Sequence, residues 1–171
     1  MSQPNNPKIE LKKKYTMIFL DFVYEWYWNT DDNDLSKIKI LLLLFLVAAH
    51  DKKLLEIFDN FEAWTYWPIE GDVYKILEDW IDSFSFNNKQ LIKKCKINIE
   101  KNKINKIKIK NKLNEIKDKI NERNPNLIGL ELFDLIDIIH QWSSWRLTYY
   151  MDWIKEISSA IILKDKKKYW L

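Results

Sequence analysis

Glycine occurs only twice in the 171 residues, and cysteine once. Glycine alone takes up left-handed backbone without steric cost, so tight two-residue hairpins and a glycine-rich phosphate loop have little to be built from. A lone Cys95 excludes an internal disulfide, offers no zinc set and suits a reducing compartment. It sits among lysines, which favour a thiolate, but no histidine is near it to complete a nucleophilic pair. His50 and His140 are the only histidines and are far apart in sequence. The expectation is therefore no metal centre, no cofactor and no enzyme. The longest unbroken apolar run, Ile40 to Ala49, has half of the roughly twenty residues that a bilayer span needs. The polar stretch before Tyr15 has no signal-peptide pattern. Both features point to a cytoplasmic protein without a membrane partner, and to a buried core helix over that run.

What the chain does have is apolar and aromatic surface. Hydrophobic residues make up 47%, charged residues 31% and aromatic residues 15%, with nine Trp. This length and composition fit one domain with one core. Tyr15, Ile18, Phe19, Phe22, Val23 and Trp26 recur at helical spacing, so a helix is predicted over 15–28. Asp34 or Ser36 can cap a second helix through the Leu41–Leu46 run, and 52–58 reads as a short third. Asp31, Asp32 and Asp34 resemble half a cation loop, but the glycine and closing glutamate are missing. Further helices are predicted up to Ile81, over 127–142 and over 144–163, where Ser143-Ser144 can cap the last one. The fold class expected is all-α: a single compact helical domain over 15–163, with a disordered arm at 1–14 and a basic tail at 164–171.

Residues 87–124 differ from their surroundings. They hold thirteen Lys or Arg against four acidic residues, a net charge of +9 that leaves the rest of the chain acidic. Ile109, Leu113, Ile116 and Ile120 are spaced for one helix face, and one long Lys-rich helix is expected over the whole segment. The alternation of Lys or Asn with Ile at 96–110 also suits a strand. Lys101, Lys103, Lys106, Lys108, Lys110 and Lys112 are the candidates for phosphate contact, if nucleic acid is a partner. The segment has no aromatic side chain for stacking on bases, so a solvated helix face is the simpler reading.

The most informative stretch is Glu62-Ala63-Trp64-Thr65-Tyr66-Trp67-Pro68-Ile69-Glu70-Gly71-Asp72-Val73-Tyr74. Pro68 breaks an aromatic segment, and a helical pattern, Val73, Ile76, Leu77 and Trp80, follows at once. Trp64, Tyr66 and Trp67 either cap the core or present stiff side chains to a partner.

This stretch resembles the Panacea family of SocA-like antitoxin domains. Ala63, Trp64, Tyr66, Pro68, Val73 and Tyr74 match its Trp-x-Tyr-Gly-Pro segment and the Val-Tyr pair that follows, with Trp67 where the family usually has glycine. The helix from Asp34 to His50 and the closing segment from Ile136 to Thr148 are similar to two further family segments in the same order. The family's second lysine and tyrosine in the first, and its histidine after Leu147-Thr148, are absent here. The resemblance implies an all-helical, antitoxin-like module that sequesters a toxin protein, with no bond made or broken. Trp64, Tyr66, Trp67, Pro68, Trp145 and Arg146 are then the contact candidates. An inhibitor of a host defence protein, from a phage or mobile element, is the alternative on the same scaffold.

Overall fold

A computed structural model of the chain describes residues 6–79, 81–97, 105–142 and 156–169. Helix α1 spans Pro7–Trp26, α2 Lys37–Ala48 and α3 Lys52–Ile57. A first hairpin pairs β1 (Phe61–Ala63) with β2 (Pro68–Glu70), and α4 (Gly71–Asp79) follows directly. A second hairpin pairs β3 (Phe84–Asn87) with β4 (Gln90–Lys93). Then come α5 (Lys106–Arg123), a 3-10 turn at Leu127–Gly129, α6 (Leu132–His140) and α7 (Ser159–Tyr169).

The core is built around α2. Ile40 to Ala49 are buried on every side, as expected of a helix that is apolar all round. Ser36 caps it by accepting a hydrogen bond from the Lys39 N–H at 3.2 Å. Around α2 pack α1, α4, α5, α6 and the β1–β2 hairpin. Phe45 meets Phe61 of β1 and Trp142 after α6, with ring centroids 5.5 and 5.3 Å apart. Each such side chain contributes roughly 1.5–3 kcal/mol by leaving water.

The all-α expectation is overturned. The molecule is mostly helical, but the two antiparallel hairpins make it a mixed fold. Hairpins were not expected because glycine is so scarce, yet neither one needs it. The second turns at Asn88-Lys89, where Asn88 takes up positive φ, 53°; Asn tolerates that region far better than most residues. The first turns through Thr65-Tyr66, with no positive φ in the loop. One edge of the second hairpin is clamped by side chains. Asn33 accepts from the Leu91 N–H and donates to the Leu91 carbonyl, at 2.9 and 2.8 Å. Asp31 accepts from the Lys93 N–H at 3.2 Å. The acidic stretch that resembled half a cation loop thus includes a hairpin clamp.

The single long helix over 87–124 is also corrected. Residues 90–93 are a strand, and the helix begins only at Lys106. Nor does it project from the fold: Leu113, Ile116 and Ile120 are buried, and α5 packs on α1 and α2. Asp21 on the buried face of α1 ties these elements together. Its carboxylate lies 2.7 Å from Lys93 of β4 and 2.9 Å from Lys110 of α5. Burial pushes the Asp21 carboxyl up, but the two ammonium groups outweigh it and hold it below the usual range. At the ends, α1 starts at Pro7, so residues 7–14 of the expected arm are its first two turns. The expected basic tail is helical up to Tyr169, and Asp165 within it is buried.

Candidate interaction surface

The aromatic stretch stands on a buried charge cluster that the sequence reading did not anticipate. Lys12 of α1 has no exposed surface, nor does Glu70 at the end of β2. The Lys12 Nζ donates to Glu70 at 2.6 Å, to Asp72 at 2.7 Å and to Asp59 at 3.0 Å. Lys8, one turn earlier on α1, adds a second ion pair to Asp59. The Glu70 carboxylate also accepts the N–H groups of Asn60 (3.0 Å) and Val73 (2.7 Å). It therefore fixes the chain on both sides of the hairpin and acts as the cap of α4. A side chain in place of Gly71 would put a Cβ 3.0 Å from the Asn60 amide and 3.2 Å from the Glu62 carboxylate. A residue larger than glycine there would have to displace the ends of these two side chains by a few tenths of an ångström.

Burial alone would lower the Lys12 pKa. The charge of Glu70 and the hydrogen bonds to Asp72, Glu70 and Asp59 reverse this and hold it above the usual lysine range. Burial pushes the Glu70 carboxyl up, against Lys12 and the two backbone donors. Asp59, more exposed, is held below the usual carboxylate range: Lys8 and Lys12 outweigh its burial. The carboxylates of Asp59, Glu70 and Asp72 lie within 4.8 Å of one another, close enough to share a metal ion. The Lys12 ammonium is within hydrogen-bond reach of all three, so the cation that this set holds is the lysine's own.

On this base the loop rises with its backbone closed by a hydrogen bond from the Trp64 N–H to the Trp67 carbonyl, 3.1 Å. Tyr66 at the tip is 62% exposed and Trp64 is 40% exposed. The Trp64 indole leans on Tyr74 of α4, ring centroids 5.4 Å apart, and donates to Glu62 at 3.0 Å. Trp67 goes the other way: it is half-buried against the core, and its indole N–H is buried with no hydrogen-bond partner among the described residues. Pro68 is buried in β2. His140, at the end of α6, donates through Nε2 to the Tyr66 carbonyl at 2.6 Å and latches the loop to that helix.

Of the six contact candidates, then, Trp64 and Tyr66 face solvent together, while Trp67 and Pro68 belong to the support. Trp145 and Arg146 lie outside the described residues, as do Trp80, Ser143, Ser144, Lys101 and Lys103. Among the remaining lysine candidates, Lys110 and Lys106 are turned to Asp21, at 2.9 and 3.6 Å. Lys112 lies 3.7 Å from both Asp51 and Glu115. Lys108 is exposed. Lys12, Asp59 and Asp72 were missed because Lys12 stands in a run of three lysines that reads as solvent-facing. The available signal was periodicity: stepping back from Phe19 by three and then four residues gives Thr16 and Lys12, both buried.

No helix among the described residues is long and apolar enough to cross a membrane. The chain matches no family model, and no curated protein or solved structure matches it.

Proposed function

We propose that this chain is a protein-binding module, antitoxin-like in action, that neutralises a cognate toxin in the cytoplasm by sequestering it through the aromatic loop. The observation that carries this reading is the division of labour in the loop. Two large aromatic side chains, Trp64 in part and Tyr66 in the main, reach solvent on a segment whose flanks are pinned by Glu70, Lys12 and His140. Exposed aromatics on a pinned backbone lose little freedom on binding, which is what a contact surface requires. The resemblance of 62–74 to SocA-like antitoxin domains supports the same reading. Nucleic-acid binding through the Lys-rich segment gains less, since Lys106, Lys110 and Lys112 each have a carboxylate neighbour within the chain.

The test is a quantitative pull-down from the native host, comparing the parent chain with a Trp64→Ser, Tyr66→Ser double variant. A protein recovered by the parent and lost by the variant, at equal thermal stability of the two baits, is the expected result. Equal recovery by both rules out the loop as the contact surface. An adjacent toxin gene distinguishes toxin neutralisation from inhibition of a defence protein.

A further inference from the structure

Helix α6 carries a second exposed feature on the side to which the loop is latched. Phe133 is 76% exposed, the most open of the large apolar side chains among the described residues. It precedes His140 by seven residues, two turns, so both lie on nearly the same side of the helix, about 10 Å apart along its axis. His140 is the residue that holds the Tyr66 carbonyl. Leu135, Ile136 and Ile139 face the core, while Phe133, Asp134, Asp137 and Gln141 form the outer face. Asp134 and Asp137 make no ion pair with any described residue. No Lys or Arg occurs between Arg123 and Arg146, although the chain as a whole carries a net charge of +3. The outer face of α6 is therefore an exposed aromatic ring flanked by two carboxylates with no ion-pair partner among the described residues.

We infer that this face, continuous with the Tyr66 loop, receives a basic amphipathic helix of a protein partner, with an apolar stripe on Phe133 and Lys or Arg side chains opposite Asp134 and Asp137. Charge complementarity selects the occupant. A neutral or acidic helix would leave the two carboxylates desolvated and unpaired, whereas basic side chains at the rim satisfy them. The inference rests on the loop being a contact surface and adds the chemistry of what it contacts.

A synthetic amphipathic helix of leucine and lysine, fluorescently labelled, is the probe; the same peptide with glutamate for lysine is the control. Binding is read by fluorescence anisotropy and located by amide shifts in nuclear magnetic resonance. The expected result is that the lysine peptide binds and shifts residues 131–141 and 64–67, while the glutamate peptide does not bind. Asp134→Asn with Asp137→Asn, and separately Phe133→Ser, should each weaken binding by roughly tenfold or more, about 1.4 kcal/mol. These positions are exposed, so circular dichroism should show an intact fold. Absence of binding, equal binding of the two peptides, or shifts confined to α5 overturns the inference. A host protein lost with Trp64→Ser, Tyr66→Ser but held undiminished by Asp134→Asn, Asp137→Asn leaves the loop reading standing and overturns this one.

Discussion

A lysine ammonium with no exposed surface must find its solvation inside the protein, and Lys12 finds it in three carboxylates from 47 to 60 residues away. Such a cluster is weak evidence of net stability, but breaking it is costly, because the partners stay buried and unpaired. Lys12→Met should lose about 3–5 kcal/mol in urea unfolding, and adding Glu70→Gln should restore part of the loss. His50 makes a prediction of a different kind. Burial lowers its pKa from 6.5 to about 4; the Leu46 carbonyl opposes this, and Lys166, Lys119 and Arg123 reinforce it. The unfolded chain therefore takes up a proton near pH 6.5 that the folded chain takes up only near 4. Stability is full above that window and falls as pH drops through it, with a slope approaching one proton. His50→Gln should flatten the dependence there. Asp21 and Asp59, whose folded pKa values are depressed, act lower down: their contribution is present above 3.8 and is lost as pH falls through the folded values. Little of this was legible in the sequence. A lysine in a polar run gives no sign of burial until its partners are known, and these come from distant segments.

At the scale of elements, most helices were legible because their apolar periodicity is strong, and the core position of α2 followed from ten consecutive apolar residues. Of the helix expected over 144–163, residues 156–158 are instead non-helical, with Glu156 bridged to Glu62 of β1, and α7 begins at Ser159. The hairpins were not. Their strands are three or four residues long, too short for alternation to show, and the turns use Asn88 and Thr65-Tyr66 where glycine was sought. Asn88→Gly should leave stability nearly unchanged. Asn88→Val should cost about 1–2 kcal/mol, the scale of forcing a β-branched residue to positive φ. In the Lys-rich segment the apolar spacing of Leu113, Ile116 and Ile120 was legible and is the face that packs on the fold, whereas the strand at 90–93 was not. Leu113→Ala or Ile120→Ala should cost about 2–5 kcal/mol in urea unfolding. Ile107, 73% exposed on the first turn of the same helix, should tolerate Ser within about 0.5 kcal/mol.

For the molecule as a whole, one core serves two outcomes. It buries α2 and nine aromatic side chains among the described residues, and it leaves Trp64, Tyr66 and Phe133 at the surface on neighbouring elements joined by His140. Pro68 and the density of aromatics made the loop legible as a candidate site. Which rings face out was not legible, since Trp64 and Trp67 differ only in what they meet: Tyr74 on one side, the core on the other. The central claim is that Trp64 and Tyr66 are surplus to the fold and present for contact. Urea unfolding of the Trp64→Ser, Tyr66→Ser double variant tests it most directly. The structure predicts a loss within about 1 kcal/mol, the scale of surface changes. A loss of several kcal/mol, as for large core truncations, would show that these rings hold the core together and would remove the basis for a recognition surface.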